Sequence, residues 1–204
     1  MLFPTRGSAK RSLRLDDTGA PLTGLHAIAV ALAGLAFGAA LASPFVVFVR
    51  REQPSRWLPV AAVSAVCSIG ADFTALARAG DISQVYVLIG IALFVASLGL
   101  FAAAAYLSRA HRLSYWFSPD VPVYLHQNGP YRWIRHPFYT SYLLSYAGVV
   151  FASANGWTLI PLIWMAILYG WAAAEEERKF GRSALATEYA AYCLRTGRFF
   201  PGGS

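Results

Sequence analysis

Charged side chains are scarce in this chain. Asp, Glu, Lys and Arg make up 13% of its 204 residues, while 57% are hydrophobic. A soluble domain of this length cannot cover its surface with so little charge, and the apolar residues fall in long, nearly charge-free blocks. Cysteine is also scarce. Cys67 lies inside an apolar block and Cys193 near the C-terminus, which excludes a disulfide framework, and no cysteine spacing suits a metal. Three of the four histidines are equally uninformative for metals: His26, His111 and His126 show no ligand spacing. Acidic residues are outnumbered by basic ones, 10 to 17. In a soluble protein that excess would point to nucleic acid. Here most basic residues flank apolar blocks, so it points to membrane topology and lipid contact, with no nucleic-acid partner.

What is present is a series of hydrophobic blocks. They occupy 25–49, 58–77, 84–107, 137–153 and 157–174, each near the ~20 residues that cross a bilayer as a helix. The expected fold class is therefore an all-α integral membrane protein of about five transmembrane helices. A polar basic tail (1–23) precedes three spans (24–108). The remainder (109–204) is a connecting segment, a tight helical hairpin and a C-terminal tail. "ALASP" at 40–44 has the look of a signal-peptidase site, but the apolar run continues past it, so the first block reads as an uncleaved span. Five spans place the two termini on opposite sides. The side holding the C-terminus carries 12 of the 17 basic residues. This puts the C-terminus in the cytoplasm and the N-terminus outside, in an inner or plasma membrane.

The connecting segment is the most informative part. A 28-residue connection (109–136) is long for a compact helical protein, and it holds Tyr115, Trp116, Phe117, Tyr124, Tyr131 and Trp133. An aromatic belt at headgroup depth accounts for Trp116, Phe117 and Trp133. It does not account for "RHP". Pro137 suits the first turn of a helix, and His136, preceding a proline, is driven out of helical geometry. Arg135 and His136 then sit at a helix mouth, where free N–H groups and the positive end of the dipole favour a small anionic group. Tyr139 shares the face of His136 one turn on. The second cluster is "EEERKF" (175–180), read as lying directly after the fifth span. A short hairpin brings Glu175, Glu176 and Glu177 to the level of the helix mouth. They read either as a solvated helix end balanced by Arg178 and Lys179, or as acceptors for hydroxyl or ammonium groups.

A carboxylate to be held by Arg and His, hydroxyls for Glu, and a purine and a cation for aromatics are all groups of S-adenosylmethionine. Methyl transfer from it needs positioning more than proton traffic. Other features have simpler readings. Asp72, within the second span, reads as a snorkelling or Arg78-paired carboxylate. Tyr139, Tyr142 and Tyr146 read as a packing stripe, and Gly34, Gly38, Gly90 and Gly99 as sites of close helix approach.

"GPYRWIRHPFY", a two-span hairpin, "EEE" and "YAAYCLRTGRFFP" together resemble the isoprenylcysteine carboxyl methyltransferase family. These are integral membrane methyltransferases, related more distantly to phospholipid N-methyltransferases. The resemblance covers roughly 108–201. It implies a cytoplasmic cofactor pocket built from the 109–136 connection, the hairpin and the tail. It implies S-adenosylmethionine as cofactor and no metal. Carried over by motif, His126, Gly129, Tyr131, His136, Pro137, Phe138, Tyr139, Glu176 and Glu177 would bind the cofactor. Arg135, His136 and Glu177 would be catalytic, with the register among Glu175, Glu176 and Glu177 open. Tyr189, Tyr192, Arg195 and Arg198 resemble a tail that folds back over the site. The acceptor would be lipophilic and enter from the bilayer, as an isoprenylcysteine-like carboxylate does. Three departures stand out. Ser141 replaces a frequent glycine, and the tail has extra residues before its Tyr-x-x-Tyr. Ala172–Ala174 occupy the place of an acceptor-binding arginine in eukaryotic members. Three other readings stay open: a phospholipid N-methyltransferase, a sterol-reductase-like NADPH-dependent membrane reductase, and a non-enzymatic scaffold.

Overall fold

The structure is a computed structural model that describes residues 24–46, 48–49, 58–80, 82–109, 113–114 and 122–202. The N-terminal tail, His111, Tyr115, Trp116 and Phe117 lie outside the described residues. Among the described residues, six α-helices follow one another: α1 (Gly24–Val46), α2 (Leu58–Ala77), α3 (Gln84–Ser108), α4 (Pro137–Ser153), α5 (Leu159–Phe180) and α6 (Ala186–Cys193). The only sheet among the described residues is a two-residue parallel pairing of β1 (Phe48–Val49) with β2 (Leu113–Ser114). It ties the chain after α1 to the chain after α3. The protein is an all-α, multi-pass membrane protein.

Among the described residues, four stretches are long and apolar enough to cross a bilayer: Gly24–Pro44, Pro59–Ala77, Gln84–Ser108 and Gly156–Phe180. The helix between the last two, α4, has 17 residues and occupies the centre of the bundle. Its sequence lacks a one-sided apolar stripe because nearly every face is covered. Phe138, Tyr139, Tyr142, Tyr146, Val149 and Ala152 are all buried. The other helices turn large apolar side chains outward, among them Leu35, Val63, Val66, Leu88, Ile163 and Ile167. On a soluble protein such a surface would aggregate, but in a bilayer it faces lipid.

The closest packing is between α3 and α4, and small residues permit it. A Cβ on Gly90 would lie 2.7 Å from the Ala152 Cβ and 2.8 Å from the Gly148 carbonyl oxygen. The other three glycines singled out by sequence do not work this way: the nearest atom to a Cβ on Gly34 would be 3.9 Å away, and Gly38 and Gly99 face open space. Deeper in the same interface, the Ser97 hydroxyl donates to the Ser141 carbonyl at 2.7 Å and meets the Ser145 hydroxyl at 2.8 Å. Ser141, where a glycine is frequent, is completely buried in this seam. Interhelical hydroxyl bonds of this kind hold helices together where no hydrophobic driving force exists between them. Two polar ties fix α1. The His26 Nε2 lies 2.9 Å from the Leu76 carbonyl oxygen of α2, and the Tyr142 hydroxyl of α4 donates to Ser43 at 2.8 Å.

Two expectations are corrected. The helix α5 continues six residues past Ala174, to Phe180. Glu, Arg and Lys are good helix formers, so the charged run extends the helix instead of ending it. Asp72 neither snorkels nor pairs with Arg78. It is fully buried, and neither carboxylate oxygen has a hydrogen-bond partner.

Candidate active site

The site forms where α3 and α5 end and α4 begins. Its first component is backbone pairing between two distant segments. Ile134 bridges Gly197 in parallel register. The Arg135 N–H donates to the Gly197 carbonyl at 2.8 Å, the His136 N–H to the Arg198 carbonyl at 3.1 Å, and the Gly197 N–H to the Trp133 carbonyl at 3.1 Å. The Thr140 hydroxyl adds a bond to the Phe199 carbonyl at 3.0 Å. "RWIRHP" and "RTGRF" therefore pair as a short strand-like seam. The N–H groups of Arg135 and His136 are engaged by the tail, so these two are not available to an anion at the mouth of α4.

The second component is the acidic turn of α5. On a helix, three successive residues point in three directions. Glu175 pairs with Arg178 at 2.6 Å, away from the seam. Glu176 accepts from the Tyr139 hydroxyl at 2.6 Å and lies 3.3 Å from the His136 Nδ1. Glu177 accepts from the Arg135 Nε at 3.0 Å and from Arg198 at 3.1 and 2.5 Å, and lies 3.2 Å from the His136 Nε2. The Arg135 guanidinium also donates to the Cys193 carbonyl at 3.3 Å and to the Thr196 carbonyl. Glu177 is thus the knot joining α5, the start of α4 and the tail.

His136 has a carboxylate at each ring nitrogen. Both nitrogens can donate only when the ring is protonated. Burial alone would lower its pKa. Hydrogen bonds to Glu176 and Glu177, and the charges of both, outweigh burial and raise it above the usual histidine value. A raised native pKa means that the stabilisation is complete below the unfolded value of ~6.5 and is lost as pH climbs through the native one. The unfolding temperature of the detergent-solubilised protein is expected to fall as pH is raised from about 6 to 9. His136→Gln should show a shallower slope. Identical slopes would remove the imidazolium from this account.

A cleft opens beside these groups. It is lined by Tyr124, Leu125, His126, Tyr131, Arg135, His136, Pro137, Phe138, Tyr139, Glu176, Phe180, Tyr189 and Tyr192. Its walls are aromatic and mutually stacked. His126 lies over Tyr131 with ring centroids 5.2 Å apart, and Phe180 over Tyr189 at 4.4 Å. The Tyr192 hydroxyl donates to the Tyr131 carbonyl at 2.5 Å, which fastens α6 to the connection. Burial pushes the phenols of Tyr131 and Tyr189 up, so both stay neutral donors.

The structure brings together His126, Tyr131, Arg135, His136, Pro137, Phe138, Tyr139 and Glu176 around the cleft. Glu177 sits behind it, and Gly129 shapes the turn leading to it. Gly129 has a φ of +58°, and a Cβ there would meet the Leu107 side chain at 2.2 Å. Phe180 escaped sequence reading because it follows five charged residues and looks like the end of a polar turn. Its signal was position: it lies one helical turn beyond Glu176, on the same face.

Two comparisons bear on this geometry. Residues 85–187 match the phospholipid methyltransferase family, a stretch that runs from α3 into α6. None of the curated proteins matches the chain.

Proposed function

The chain belongs to the phospholipid methyltransferase family, and on that premise we propose that it is an S-adenosylmethionine-dependent enzyme transferring a methyl group to a lipophilic acceptor from the bilayer. The observation that carries the cofactor assignment is the donor set of the cleft. One partly exposed carboxylate (Glu176), a cationic His136–Arg135 edge and aromatic walls meet in one place. These suit the hydroxyls, the carboxylate, and the purine and sulfonium of the cofactor, respectively. When bound, that group supplies a methyl carbon already activated for displacement. The protein's part is to hold and orient. Glu176 is fixed by Tyr139 and His136. Glu177 positions Arg135 and His136 from behind. Tyr189 and Tyr192 of α6 form one wall of the cleft.

An amine is the favoured acceptor, as in phospholipid N-methylation. The wall one turn before the acids is Ala172 and Ala173, both buried and without charge. Nothing there holds an acceptor carboxylate of the isoprenylcysteine type. The cleft is placed on the cytoplasmic side, which the distribution of basic residues supports.

The test is calorimetric titration of S-adenosylhomocysteine into purified, detergent-solubilised protein. Saturable binding is expected, weakened about tenfold or more by Glu176→Gln and by His136→Ala. Absence of binding by the folded protein, together with binding of reduced nicotinamide dinucleotide, would replace this reading with a reductase. Methyl transfer to a carboxylate but not to an amine lipid would overturn the acceptor assignment alone.

A further inference from the structure

A second cavity, of about 450 Å³, lies between α2 and α5 at the opposite end of the bundle. Its lining includes Asp72, Arg78, Trp157, Ile160, Pro161 and Trp164. From Trp164 to Glu176 is twelve residues of α5, or about 18 Å of helix, so this space is separate from the methyl-transfer cleft. Trp157, Ile160 and Trp164, in its lining, are exposed. The cavity therefore opens to the outer surface of the bundle.

Asp72 is the unexplained group in its wall. It sits five residues before the end of α2, about 7.5 Å inside the span. It is fully buried, with both oxygens unpartnered. A carboxylate at that depth is costly unless it takes up a proton or a cation answers it, and an ionisable group inside a span is a candidate functional group. Arg78 lines the cavity too, but it is exposed and makes no bond to Asp72. Two tryptophans line the cavity, and indole rings attract cations. We propose that this cavity is a binding site for a lipophilic ammonium ion, a protonated amine with an apolar body, whose charged end meets Asp72 and whose body lies against Ile160, Pro161 and the tryptophans. The site is independent of the methyl-transfer reading.

The probe is n-hexylamine, protonated at neutral pH, against 1-hexanol and hexanoate as neutral and anionic counterparts of the same length. Binding to the full-length solubilised protein would be followed by calorimetry, with tryptophan fluorescence as a second signal. The expected result is saturable binding of the amine. Its preference over the alcohol should fall about tenfold in Asp72→Asn, with the alcohol's own affinity unchanged. Retained S-adenosylhomocysteine binding or an unchanged unfolding temperature would show that the variant is folded. Trp164→Ala, which leaves Asp72 in place, should weaken amine and alcohol together. Equal binding of amine and alcohol by the wild type, or an undiminished preference in Asp72→Asn, would overturn the proposal.

Discussion

Replacing Glu177 by alanine is expected to cost about 3 kcal/mol of stability and to remove cofactor binding with it. Three cationic groups converge on this carboxylate, and two of them are buried. The Arg135 side chain is 7% exposed and that of His136 8%, while Glu177 itself is 14% exposed. Removing one partner of a buried pair leaves uncompensated charge in a medium that solvates it poorly, which is why the loss exceeds the worth of a surface ion pair. Arg198 is different. Its side chain is 42% exposed, so water replaces much of what Glu177 provides. Arg198→Ala should therefore cost no more than about 1 kcal/mol. Thermal unfolding of the two variants side by side checks the ordering. If Glu177→Ala unfolds at the wild-type temperature, the knot does not hold the tail. Glu177→Gln keeps the shape and tests charge alone. It should retain the fold at reduced stability, because the Arg135 and His136 charges lose their counter-charge.

Gly197→Ala is expected to lower methyl transfer about a hundredfold while leaving the helical bundle intact. A Cβ at this position would stand 1.8 Å from the Phe200 carbonyl oxygen and 2.7 Å from that of Gly202. Those are backbone atoms, so no side-chain rotation relieves the clash. The tail must shift, and the bonds from Arg135 N–H to the Gly197 carbonyl and from Gly197 N–H to Trp133 shift with it. A displacement of about an ångström at a positioning element is enough for an effect of this size. Gly181→Ala is the control. Its nearest atom would be the Arg178 carbonyl oxygen at 3.6 Å, an ordinary contact. Circular dichroism should be unchanged in both variants, and only Gly197→Ala should lose activity. Full activity in Gly197→Ala would show that the seam between 133–136 and 196–199 does not shape the site.

Much of the bundle could be read from the chain. The bounds of α2 and α4 agree with the apolar blocks, because a long, nearly charge-free run crosses a bilayer as a helix that satisfies its own backbone. The "RHP" break before α4 was equally legible, since proline fixes both its own geometry and that of the residue before it. The gathering of His136, Tyr139 and Glu176 could be anticipated from the short hairpin between α4 and α5. The register of the acids could not. Glu175, Glu176 and Glu177 are chemically identical, and only the rotation of α5 against α4 decides that one faces Arg178, one the cleft and one the tail.

The sequence by itself determined the membrane class, the helices and the chemical types at the cleft, because hydropathy and proline geometry act locally along the chain. Tertiary structure alone decided that the tail's backbone occupies the N–H groups of Arg135 and His136. It alone decided that Glu177 joins α5, the start of α4 and the tail, and that the Asp72 carboxylate is left without a hydrogen-bond partner. Each of these depends on which distant groups compete for the same donor or acceptor, and that competition is settled by packing across 20 to 60 residues of separation.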